Sequence, residues 1–107
     1  MQQDEDYLLR HIRQLIAVIL QLILGRSEEA EVDAELQSGL GLGLRTVDAL
    51  TPEAVLSLFN LEDWRDRARL EGLVQVLEAL GQPHRRDKAA ALRRALEREH
   101  ADLAPAE

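Results

Sequence analysis

Tyr7-Leu8-Leu9-Arg10-His11-Ile12-Arg13-Gln14-Leu15-Ile16-Ala17-Val18-Ile19-Leu20-Gln21-Leu22-Ile23-Leu24 is the stretch on which the fold turns. Leu8, Ile12, Leu15, Ile19 and Leu22 recur every three or four residues, and Leu9, Ile16, Leu20 and Ile23 form a second row beside them. That spacing places side chains on adjoining faces of one α-helix. Its polar groups are confined to a narrow strip of Arg10, Arg13, Gln14 and Gln21, so most of the circumference is apolar. Crossing a membrane takes about 20 consecutive apolar residues. The densest run, residues 15–24, is shorter than that and is interrupted by Gln21, so the expected cover is protein and no membrane partner is expected.

The rest of the composition agrees with helices. A chain of 107 residues fits one domain with a single core. Hydrophobic residues make up 46% and charged residues 31%, a globular balance, but aromatics reach only 3%. The core must be aliphatic, with Tyr7, Phe59 and Trp64 as its expected large anchors. The absence of cysteine excludes disulfides, thiolate metal sites and a thiol nucleophile. The acidic start Asp4-Glu5-Asp6 is the reverse of a basic targeting segment, which leads to the expectation of a cytoplasmic protein. Net charge is −7, concentrated in residues 1–54, where four basic residues face ten acidic ones. Such a surface repels phosphate backbones, so no nucleic-acid partner is expected.

Along the chain, Gly25 ends the first helix, and Ser27 with Glu28 and Glu29 reads as the cap and first turn of a second helix reaching Leu40. A turn at Gly25-Arg26 folds the two into an antiparallel hairpin. The second helix carries only Ala30, Val32, Ala34, Leu36 and Leu40, enough to cover one side of the first helix but hardly two. Gly39-Leu40-Gly41-Leu42-Gly43-Leu44 reads as a packed connector, because repeated glycine weakens a helix while the leucines still require burial. Thr51-Pro52-Glu53 starts a short helix through Phe59. Asn60 is the expected cap of the next helix, which stops at Gly81, and Pro83 opens the last helix, which ends before Pro105. The prediction is all-α, about five helices in one domain over residues 1–107. It comprises an N-terminal hairpin (1–40), a connector with a short helix (41–60) and a C-terminal hairpin (61–104).

The opening Asp6-Tyr7-Leu8-Leu9-Arg10-His11-Ile12, followed by an apolar helix, a Gly-Arg turn, an acidic helix and a Gly-Leu-rich connector, resembles a family of short uncharacterised all-helical bacterial proteins, a domain of unknown function. The likeness spans nearly the whole chain. It implies a tetratricopeptide-like C-terminal hairpin, to which Leu77-Glu78-Ala79-Leu80-Gly81 and Ala95-Leu96-Glu97 are similar, with the turn lengthened by Pro83-His84-Arg85-Arg86. It implies no activity.

Few residues suggest chemistry. Glu97-x-x-His100 has the spacing of a di-iron ligand pair, but no second pair exists and a solvated helix end accounts for it. Gly39-x-Gly41-x-Gly43 lacks the strand and the Gly-Lys-Ser/Thr ending of a phosphate loop. Glu28, Glu29, Glu31, Asp33 and Glu35 lack the oxygen-rich loop of a calcium site. Arg85, Arg86, Lys88, Arg93, Arg94 and Arg98 make the last helix basic, but acids interleave with them and no aromatic offers a stacking platform, so salt-bridged surface or a rim meeting the acidic half is expected. Ser27, Ser38 and Ser57 belong to no nucleophile motif. No catalytic, cofactor or metal residues are assigned. The expected function is a non-enzymatic protein–protein interaction or oligomerisation module. It would be a homodimer through the first helix, with Leu8, Ile12, Leu15, Ile16, Ile19, Leu20, Leu22 and Ile23 as candidate interface residues. The alternative is a small-molecule binder or enzyme with an apolar pocket between the first helix and the Trp64 helix, and a weaker one is a nucleic-acid-binding regulator using the last helix.

Overall fold

The computed structural model describes the backbone of residues 2–25 and 28–103 and the side chains of 7–25 and 28–98. Among these the fold is all-α, without a strand: α1 (Gln2–Leu24), α2 (Glu29–Leu40), α3 (Leu44–Ala49), α4 (Pro52–Leu56), α5 (Trp64–Leu80) and α6 (Pro83–Leu103).

Local chemistry explains most boundaries. The Gly25 N–H closes α1 on the Gln21 carbonyl at 2.8 Å. The expected Ser27 cap lies outside the described residues; α2 begins at Glu29, with Glu29 and Glu31 in its first turn, where carboxylates suit the positive end of the helix dipole. It stops at Gly41, which adopts φ +75°, a left-handed turn that glycine takes without a Cβ penalty.

The connector contains a helix that its glycines do not announce. Leu44 N–H donates to the Asp33 carboxylate on α2, so a neighbouring helix supplies the start cap that Gly43 cannot. At the other end of α3, Lys88 Nζ donates to the carbonyls of Val47 and Asp48 at 2.6 and 3.1 Å. Both orphan ends are satisfied by tertiary partners, and Leu44 and Val47 bury the inner face.

Thr51 caps α4 as expected, its Oγ1 accepting from Ala54 N–H at 3.2 Å. The helix ends at Leu56, short of Phe59, where the Ser57 hydroxyl donates back to the Ala54 carbonyl at 2.6 Å. Asn60 does not cap α5: its Oδ1 accepts from Glu62 N–H, an Asx-type turn, and Asp63 is the cap, accepting from Arg65 N–H at 2.9 Å. The α5–α6 turn is short, and Pro83-His84-Arg85-Arg86 forms the first turn of α6 instead of lengthening the loop.

The core centres on α5, whose Leu70, Leu73, Val74, Val76 and Leu77 are fully buried. It packs against α1 and α6; α1 in turn packs against α2. Ile12, Ile16 and Ile19 of α1 join Val32 and Leu36 of α2 and Ala89 and Leu92 of α6 in one cluster. Two close approaches set the spacing. A Cβ on Gly72 of α5 would lie 2.6 Å from Ile16 Cδ1, and one on Gly39 of α2 would run into the Leu15 side chain.

This arrangement revises the account of α1. Its second side is covered by α5, so α2 need not cover it alone. The polar strip of Arg10, Arg13, Gln14 and Gln21 faces solvent. Tyr7 is 67% exposed and is not a core anchor; Phe59 is half-buried against the core and Trp64 is half-buried.

Candidate functional site

Residues Tyr7–Leu24 have the length and apolar composition of a short membrane span, but Ile12, Ile16 and Ile19 are core residues of the helical bundle. The eight expected interface residues divide accordingly. Ile12, Ile16 and Ile19 are covered by the chain itself, whereas Leu8, Leu15, Leu20, Leu22 and Ile23 are half-buried at the edges of the packed face. Sequence periodicity pointed to the apolar rows but not to the outer strip that the packing leaves open. On that strip Tyr7 (67%) and Val18 (46%) are exposed, and Leu24 (82%) is exposed at the end of the helix on another face. Tyr7 and His11, one turn apart, stack with ring centroids 6.4 Å apart and planes 12° from parallel. Large apolar groups held in water along one helix mark a contact surface when they are contiguous.

The two flanks of α1 differ. Toward α2 lie Leu8, Leu15 and Leu22, with Leu15 pressed on Gly39. Asp33 and Gln37 occupy the α3 side of α2; Glu31 and Glu35, one and two turns before Gly39, therefore run along its α1 side. Toward α5, Leu9, Ile12, Ile16, Ala17 and Leu20 floor a groove of about 310 Å³ with Arg13, Glu71 and Gln75 among its polar lining. This groove occupies the place expected of an inter-helical pocket, and it is open and shallow.

A second cluster is polar and centres on one buried arginine. Arg85, 5% exposed, donates from Nη1 to Glu29 Oε1 at 2.7 Å and from Nε and Nη2 to the two Asp48 oxygens at 3.1 and 2.7 Å. Gln82 Oε1 accepts a further bond at 3.0 Å, and His84 Nε2 lies 3.8 Å from Asp48. The Arg85 hydrogen bonds hold the carboxyls of Glu29 and Asp48 below their ordinary range, and the two carboxylates hold the guanidinium charged. Every donor is answered by a neighbour, so the cluster ties α6 to α2 and α3 and offers no open valence for a ligand.

The other basic residues of α6 divide similarly. Lys88 caps α3, Arg93 pairs with Glu78 at 2.9 Å, and Arg86, Arg94 and Arg98 are exposed. Among the described residues no three His, Asp or Glu side chains converge as a metal site; the side chain of His100 lies outside them. Comparison with protein-family models, with curated proteins and with solved structures finds no match.

Proposed function

We propose that this chain is a non-enzymatic, cytoplasmic protein–protein interaction module that pairs with a second copy through the outer strip of α1. The supporting observation is the exposure of Tyr7 and Val18 on one face of a helix whose remaining large apolar residues, Leu24 at its end apart, are already buried or half-buried. Burying a fully exposed aliphatic side chain contributes about 1.5–3 kcal/mol, and a two-fold surface counts each such residue twice. V18E tests the reading. It should shift the protein to monomer in sedimentation while leaving helicity unchanged, since Val18 is outside the core, and should lower Tm only by the stability that dimerisation adds. A wild-type protein that is monomeric to begin with overturns it.

The groove between α1 and α5 favours a second reading, an apolar ligand seated on Leu9 and Leu20 with Arg13 or Glu71 fixing a polar end. A thermal-shift screen with fatty acids and metabolites separates the two: saturable stabilisation that L20E abolishes supports the ligand, and no response leaves the module.

A further inference from the structure

We infer that the trough between α1 and α5 is a docking groove for an amphipathic α-helix of a partner protein. The apolar stripe of that helix is seated on Leu9, Ala17 and Leu20, with acids on its flank toward α1 and bases on its flank toward α5. At 3.6 residues per turn this side of α1 is distinct from the one that carries Tyr7 and Val18, so the inference goes beyond the homodimer and does not rest on it.

The groove is built from two rows of α1 and one wall of α5. Ile16, Leu20 and Leu24 follow one another at intervals of four, as do Leu9, Arg13 and Ala17, so the two rows run side by side along the helix. Ile16 is buried and Leu9 and Leu20 are half-buried, whereas Ala17 is exposed. On the opposite wall Ala68 and Gly72 add little side-chain bulk. The trough runs from Leu9 to Leu20, about 16 Å at 1.5 Å per residue. Leu24, 82% exposed, carries its apolar edge one turn further.

Shape selects the class of occupant. A small-molecule site encloses most of its ligand, whereas this trough of about 310 Å³ is open and shallow. A helix binds such a surface with one face and leaves the other in water. About three turns of helix match the length between Leu9 and Leu20, and the small residues Ala17, Ala68 and Gly72 leave room for the larger side chains of its stripe.

Charge selects its flanks. Arg13 stands on the α1 bank and Glu71 on the α5 bank; both are exposed, and among the described residues neither is held in an ion pair. From Tyr7 to Gly25 the chain carries Arg10 and Arg13 and no carboxylate, although it holds 20 acids against 13 bases overall. Exposed Arg10 lies about one turn before Arg13, so the α1 bank is a local cationic edge on an acidic protein. A helix seated between the banks satisfies both when one of its flanks is acidic and the other basic.

The test titrates the isotope-labelled chain, followed by NMR, with a synthetic helical peptide of about 16 residues that carries leucines at i, i+4, i+7 and i+11, glutamates along one flank and lysines along the other. Saturable shifts are expected at the amides of Leu9, Ala17, Leu20 and Gly72. R13E and E71R, both at exposed positions, should each weaken binding about fivefold. The R13E/E71R exchange should restore it, because a helix docked in the opposite direction presents its flanks exchanged. Shifts confined to His11 and Val18 place the peptide on the outer strip and overturn the inference. Binding that ignores both charge reversals, or no shift at all, overturns it as well. Laurate that produces the groove shifts where the peptide does not makes the occupant a small apolar ligand and also overturns the helix.

Discussion

Arg85 and Asp48, 37 residues apart, meet through two hydrogen bonds of 3.1 and 2.7 Å, joining the first turn of α6 to the end of α3. With Glu29 as third partner, this arginine makes the longest-range tie between the acidic N-terminal half and the basic last helix. It is expected to matter for stability. Hydrogen bonds to charged groups contribute about 1.5–3 kcal/mol, and Asp48 and Glu29 can recover some hydration when the arginine is removed. R85A should therefore cost about 2 kcal/mol, read as a Tm lower by roughly 10 °C in a domain of this size. R85K, which keeps the charge but loses the fork, should fall between.

The same cluster sets a pH dependence. Glu29 and Asp48 have native pKa values held below their unfolded values by the hydrogen bonds from Arg85. Their contribution is present above the unfolded carboxyl values of about 4.3 and 3.9 and is lost as pH falls through the lower native ones. Urea midpoints of wild type should drop as pH falls below about 4. R85A, lacking the cause of the shift, should show a shallower drop over the same range, and equal slopes would contradict the assignment.

Gly72 is a point of close approach between α1 and α5. Alanine gains up to about 1 kcal/mol of helix propensity over glycine, but its Cβ would lie 2.6 Å from Ile16 Cδ1 and 2.7 Å from Cγ1. Overpacking a core costs about 1–3 kcal/mol, so G72A should be net destabilising by about 1 kcal/mol. I16V removes Cδ1 and should make the double variant less destabilised than the two single losses added together. Full additivity in thermal melts would show that the helices are not in tight contact here.

Asp33 is the start cap of α3 although it belongs to α2. Loss of a cap costs about 1 kcal/mol. D33A should lower stability by that amount, and hydrogen exchange should rise selectively at the amides of Leu44 and Val47, whose bonds open first when α3 frays. Unchanged protection at those amides would remove Asp33 from that role.

Much of the fold was legible because helix signals are local. The Thr51-Pro52 start, the stop at Gly81 and the Pro83 start each act within a turn, and each appears where expected. What could not be read was set by tertiary partners. α3 depends on Asp33 and Lys88, distant in sequence, so Gly39 to Leu44 reads as connector alone. The rank of the helices was also hidden. α1 is the most apolar, yet α5, with several charged residues, is the most buried because helices flank it on both sides. The candidate surface was legible only in part: periodicity identified α1, but which of its rows stays outside depended on α5 arriving at Gly72, and the exposed pair Tyr7 and His11 carried no signal beyond helical spacing.

The proposed dimer requires that α1, already packed inside on its own chain, pair outside with a second copy. Static light scattering on the purified wild-type chain from about 100 down to about 1 μM tests it most directly, since a two-fold contact with micromolar affinity corresponds to about −8 kcal/mol. A dimer gives a mass of twice the 12.1 kDa chain at the upper end, falling toward a single chain on dilution. A mass of 12.1 kDa at every concentration would contradict it.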